Sequence, residues 1–186
     1  FEPSNREATG LERNLAANKL KNVTVIRKAM AEQVGHRRFA MATDGLRNSL
    51  AQTSHPGQTI ENWFPVELTT IDRVVARIGQ AGLRLINIDV EGAELLVLQG
   101  GGQLLTAPDA PAVMIRVADA AASAFGSSGA KVYDQLKAYG YTLYGLRAKT
   151  NKDDGCCRTR AARRVSYPDD TLLAIKEAPE LGDTTP

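Results

Sequence analysis

The order of apolar and polar positions predicts a chain that alternates between strands and helices. Phe1-Glu2-Pro3-Ser4-Asn5 reads as a strand end entering a turn, because Pro3 cannot continue a central ladder and Ser4 or Asn5 can cap a helix. A helix follows over Arg6–Ala17, with Ala8, Leu11 and Leu15 on one face and Asn18 as its stop. Asn22-Val23-Thr24-Val25-Ile26 is short and β-branched, the pattern of a strand. From Glu32 to Glu67 the pattern is mixed, and Gly35, Gly45, Pro56 and Gly57 predict short strands and a long connection. Thr70 caps a helix through Ile78 that buries Ile71, Val74, Val75 and Ile78 and stops at Gly79.

Leu83–Val90 is a near-continuous apolar run, the mark of a strand covered on both faces. It leads through Glu91-Gly92 into a short helix, Ala93–Gln99, which Gly100-Gly101-Gly102 ends. Pro111–Ile115 predicts another buried strand, and Lys131–Tyr139 a helix closed by Gly140. Tyr141–Leu146 and Thr171–Ile175 predict two strands joined by a long basic loop. The sum is a doubly wound α/β domain, mostly parallel with a C-terminal antiparallel hairpin, over residues 1–178, with 179–186 as a polar tail.

Composition narrows the class without changing it. The chain has 186 residues, a net charge of +2, 43% hydrophobic and 24% charged residues, which excludes disordered, collagenous and coiled-coil chains. A single domain of this length buries roughly 70% of its unfolded surface. No apolar run approaches the ~20 residues of a membrane span, and the first residues lack the basic-then-apolar order of a secretory signal. The two cysteines are neighbours, Cys156-Cys157, which argues against a disulfide framework or a structural zinc site. A cytoplasmic protein with no membrane partner is expected.

Chemistry concentrates in Asp89-Val90-Glu91-Gly92-Ala93-Glu94, where three carboxylates crowd the carboxyl end of an apolar strand. Open α/β sheets bind ligands at such ends. Asp89 and Glu91 lie two apart and point the same way on an extended backbone. The group can orient a hydroxyl, accept its proton, or bind a divalent ion. Glu94 alone reads better as a helix N-terminal acid, satisfying exposed N–H groups. For Asp89 with Glu91 the functional reading is stronger, since a buried strand rarely tolerates paired charges without use. Glu2, at a strand end before a helix, occupies the position where nucleotide-binding folds hold ribose hydroxyls, although spacing alone reads equally as a surface glutamate. Gly100-Gly101-Gly102 lacks the Lys and Ser/Thr of a phosphate loop. His36 and His55 stand apart in loop-like sequence. Between Arg147 and Arg164, seven basic against two acidic residues leave +5, and so −3 for the rest of the chain. That segment can face an anion, but solvated loop charge is the commoner cause, and no aromatic interleaves it as base stacking needs. Nucleic acid is a disfavoured partner on that ground.

These residues together resemble the FkbM family of S-adenosylmethionine-dependent methyltransferases. The likeness rests on Phe1–Asn5 with Leu15…Asn18…Asn22-Val23, on Leu68-Thr69-Thr70-Ile71-Asp72, on Ile86-Asn87-Ile88 through Glu94, and on Leu136…Tyr139-Gly140-Tyr141…Leu146. It implies a Rossmann-like methyltransferase fold that moves a methyl group from S-adenosylmethionine to a hydroxyl of a sugar or natural product. By that likeness Glu2 binds the cofactor ribose, Ala29 and Met30 flank the adenine, and Asp89 and Glu91 lie beside the methyl and its acceptor. The family's first strand and glycine-rich turn would precede Phe1, so a fold truncated at its N-terminus is expected, with open edges beside Glu2 and Asp89. Two positions depart from the pattern: Asn87 stands where the family has Lys, and Arg116 where it has Glu. Besides the enzyme, two readings stay open: a catalytically degenerate binding module, and a metal-assisted enzyme built on Asp89, Glu91 and Glu94.

Overall fold

The computed structural model describes residues 1–45, 47–53, 58–117, 119–150, 157–164 and 171–176. The chain begins extended and enters α1 (Asn5–Ala17) at Ser4. The Ser4 N–H donates to Glu2 Oε1 at 2.8 Å and its hydroxyl donates to the Glu7 carboxylate. A first sheet, ordered β1-β3-β2, joins β1 (Ala29–Met30), β2 (Gly35–Ala42) and β3 (Ile60–Thr69). β2 and β3 form a long antiparallel hairpin, and β1 runs parallel to β3. Its inner face closes on Ala29, Ala31, Phe39, Val66 and Leu68.

Thr70 then caps α2 (Ile71–Ile78), its hydroxyl accepting the Arg73 N–H at 3.0 Å. A second sheet, ordered β4-β5-β8-β6-β7, contains β4 (Leu85–Ile88), β5 (Ala112–Arg116), β6 (Thr142–Thr150), β7 (Cys157–Arg164) and β8 (Thr171–Ile175). The helices α3 (Glu94–Gln99), α4 (Gly102–Thr106), α5 (Asp119–Ala122) and α6 (Gly129–Ala138) lie between these strands in sequence. Leu98, Leu105, Val113, Ile115, Leu136 and Leu172 are fully buried in the main core. Removal of such apolar surface from water is the dominant stabilising term.

Asp72 links the layers. Its two carboxylate oxygens accept the N–H groups of Gln103 and Leu104, both at 2.9 Å, and so satisfy the open end of α4. Its own N–H donates to the Gly100 carbonyl at 3.0 Å. A Cβ on Gly100 would lie 2.1 Å from the Ala31 carbonyl oxygen, so the glycine triplet is a packing junction between two helices as well as a helix stop. Tyr141 is buried and donates to the Pro111 carbonyl at 2.8 Å, and burial pushes its hydroxyl pKa up to about 12. Tyr141→Phe strands that carbonyl, and denaturant unfolding is expected to show a loss of about 1–2 kcal/mol.

Several expectations are corrected. The sheets are mixed and mostly antiparallel: among the described residues only β1/β3 and β4/β5 run parallel, against four antiparallel strand pairings. The reason lies at the front of the chain. Neither Phe1–Pro3 nor Asn22–Ile26 forms a ladder, and the one backbone bond that joins them runs from Glu2 N–H to Ile26 O. β-branched propensity alone does not make a strand where pairing stops at one bond. Glu32–Glu67 holds one long hairpin rather than short strands. β4 is covered on one face: Ile88 is buried, Leu85 is 47% exposed, and among the described residues it pairs only with β5. Ile78 is 72% exposed and Leu11 41%. The basic loop is largely strand, with β6 and β7 paired from Tyr144↔Arg164 to Thr150↔Cys157. His55 and the tail 179–186 lie outside the described residues.

Candidate functional site

The carboxyl end of β4 opens directly into a tight turn. Gly92 has φ +87°, and a Cβ there would meet the Ala121 carbonyl at 2.6 Å, so only glycine lets the chain turn between Glu91 and α3. The turn leaves Asp89 exposed and folds Glu91 inward until it is 7% exposed. Glu94 is fully buried, and its Oε1 accepts the Gly92 N–H at 3.2 Å, closing its own turn.

A cleft of about 200 Å³ lies beyond this strand end. Glu2, Ala29, Met30, Asp89 and Glu91 all line it, although they come from three separate parts of the chain. Glu2 with Lys28, Ala29 and Met30, and Asp89 with Glu91 and Arg116, all contribute to its lining. Asn48, Ser49 and Leu50 form part of the wall between the hairpin strands and the β4 turn. Sequence reading missed these three. An unremarkable serine in an irregular stretch gives no signal of its own, and only the fold shows that the Ser49 hydroxyl donates to the Glu91 carbonyl at 2.7 Å. Asn87 is exposed and does not line the cleft, and His36 lies on β2 away from it.

Arg116 binds the acidic pair. Its Nε donates to Asp89 Oδ1 at 2.6 Å, and its Nη2 stands 3.7 Å from Glu91 Oε2. Burial lowers its pKa, but the Asp89 bond and the fields of Asp89, Glu91 and Glu94 outweigh it and raise the value. Glu91 Oε1 is buried with no hydrogen-bond partner among the described residues. An unmet carboxylate oxygen costs about 1–3 kcal/mol or more, so this atom is a ready acceptor for a ligand O–H or N–H.

Glu2 is held above the usual carboxylate range, first by burial, which its bond from the Ser4 N–H partly offsets. A raised folded-state pKa favours the protonated form, so this contribution to stability is present at acid pH and lost as pH rises through the raised value. A donor such as a ribose hydroxyl would favour the ionised form instead.

The metal reading loses its geometric basis, because no group of three His, Cys, Asp or Glu among the described residues could hold an ion. Asp89 turns to Arg116 and Glu94 to its own backbone. No helix among the described residues is long and apolar enough to cross a membrane.

A mixed α/β fold with a carboxylate-lined cleft at a strand end has the arrangement at which α/β domains generally bind ligands. The Methyltransferase FkbM domain matches residues 1–143, and the chain belongs to that family. No curated protein and no solved structure matches it.

Proposed function

We propose that this chain transfers a methyl group from S-adenosylmethionine to an oxygen acceptor, a hydroxyl of a sugar or natural product. The observation that carries the reading is that Glu2, Ala29, Met30, Asp89 and Glu91 line one cleft. The residues present fit the nucleoside end of the cofactor: the Glu2 carboxylate suits a ribose diol, and Met30 and Phe1 offer apolar surface for a base. At about 200 Å³ the cleft is smaller than the ~300 Å³ at which ligand pockets begin, so it accommodates part of that molecule.

The bound cofactor supplies an electrophilic sulfonium methyl. The chain's own residues then align the acceptor and take its proton. Asp89, exposed to the cleft and fixed by Arg116, receives the hydroxyl proton as general base. Glu91 Oε1 accepts a second hydrogen bond from the acceptor and fixes its orientation. The degenerate binding module is favoured by one observation: Arg116 already occupies Asp89 Oδ1.

Calorimetric titration with S-adenosylhomocysteine is expected to give a saturable isotherm, and a silent titration overturns the proposal. Glu2→Gln should weaken that binding about 10- to 100-fold, the value of one charged hydrogen bond. The same variant should remove this carboxyl's own contribution to the pH dependence of stability, the part that is lost as pH rises above the ordinary glutamate value. Binding without turnover on any hydroxyl acceptor would select the binding module.

A further inference from the structure

Ile78 is the most exposed large apolar side chain among the described residues, at 72%. It lines a second hollow, of about 530 Å³, between α2 and the adjoining ends of β2 and β3. Val34 and Phe1, also among the exposed large apolar residues, line the same hollow. Val74 lies one turn before Ile78 and continues the apolar stripe of α2 into it. Leu68 and Thr69, both buried, belong to the lining as well. Only Phe1 and Lys28 are shared with the carboxylate cleft, so this is a separate space beside it. Exposed apolar residues scattered singly need no explanation, but a group of them around one ligand-sized hollow marks a binding surface.

The charges of the lining have one sign to spare. Lys28, Arg73 and Arg77 against Glu67 leave +2, with His36 neutral. Glu67 is already bound to Lys28 at 2.6 Å, and that bond holds its carboxyl below the usual range. The Arg73 and Arg77 side chains form no ion pair or hydrogen bond among the described residues. They stand four residues apart on α2, a spacing of about 5–6 Å at which like charges repel. Arg77 in the last turn suits the helix dipole, whereas Arg73 in the first turn opposes it. Helix stability therefore gives no reason for this pair. An anion held by both guanidinium groups does.

We propose that the hollow binds a single alkyl chain ending in an anionic oxygen head, a carboxylate or a phosphate. The chain lies on Ile78, Val74 and Val34, and the head meets Arg73 and Arg77, whose planar forks match either oxyanion. Burial of the chain covers apolar surface that the protein alone leaves in water. Size and shape select this occupant over larger ones. Pockets of about 300–1,000 Å³ take small molecules, whereas a partner helix is about 10–12 Å across. A membrane is met by apolar side chains that project from a surface, and these line a concavity.

Titration calorimetry of the full chain with decanoate and with decyl phosphate, each below its micelle concentration, tests this. At least one should give a saturable isotherm, and the tighter of the two identifies the head group. Arg73→Gln with Arg77→Gln should weaken binding about 10- to 100-fold, the value of one charged hydrogen bond. The melting temperature of that variant should be equal or higher, because a like-charge pair is relieved. If it melts lower than the parent, Ile78→Ser decides: the position is exposed, and binding should weaken about 10-fold through lost apolar contact. Uncharged decanol should bind the parent no better than decanoate binds the arginine variant. No saturable heat from either anion, unchanged affinity in a folded variant, or equal affinity for decanol overturns the proposal. So does capture of the protein by phosphatidylserine vesicles in preference to the free anions.

Discussion

Asp89→Asn is expected to lower kcat roughly 10²- to 10⁴-fold, the range in which a positioned general base contributes. The substitution keeps shape and hydrogen-bonding capacity but removes the charge that accepts a proton. Its effect on folding should be small. Asp89 and Arg116 are about half exposed, and exposed ion pairs contribute only about 0–1 kcal/mol. Arg116 retains Glu91 as a neighbour when Asp89 is neutral. S-adenosylhomocysteine binding, measured by calorimetry, should stay within a few-fold of the parent, because the proposed role of Asp89 is toward the acceptor's proton and that of Glu2 toward the cofactor ribose. Comparable losses of binding and turnover would make Asp89 a structural residue instead.

Gly100→Ala is expected to cost about 3–5 kcal/mol of folding stability, at the severe end of single substitutions. Gly100 has ordinary backbone angles, φ −70° and ψ −5°, so the cost is steric and not conformational. The obstacle is backbone, the Ala31 carbonyl 2.1 Å from the new Cβ, with the Thr70 Cβ a further 3.3 Å neighbour. Neither can rotate away as a side-chain tip would. Ala31 follows Met30 directly, so relaxation there would also displace the cleft wall. Gly102→Ala is the control: its nearest neighbour would be the Tyr139 hydroxyl at 3.6 Å, an ordinary contact. Chemical denaturation should separate the two variants, with Gly102→Ala within about 0.5 kcal/mol of the parent.

The parts of the fold legible in the sequence are those whose stabilisation is local. Thr70 and Gly79 bracket α2 as the pattern predicts, because a cap is written within four residues. Where partners lie far apart in sequence, prediction fails. Asn22–Ile26 has strand composition without a ladder, and Glu32–Glu67 conceals a long hairpin because its register depends on pairing and not on composition. For the site, the carboxylates announced themselves by crowding a strand end, and Glu2, Ala29 and Met30 came only through the family resemblance. Arg116 was visible as a departure from that family, but its grip on Asp89 needed the parallel pairing of β4 with β5, which sets Ile88 beside Ile115. Ser49 was illegible, since its role is fixed by a bond across 42 residues.

That serine has a practical consequence for altering acceptor preference. Through it the hairpin layer is tied to the turn holding Glu91, while Ala40 and Ser49 bond each other's backbones in both directions. Randomising position 49 would loosen the wall and the carboxylate together, and the resulting clones would fail for reasons unrelated to what they recognise. Its neighbours on the same cleft are tied in as well, Asn48 by the Ala42 N–H that its Oδ1 accepts at 2.8 Å and Leu50 by packing on the core of the first sheet, so substitutions there should keep an acceptor and an apolar group respectively.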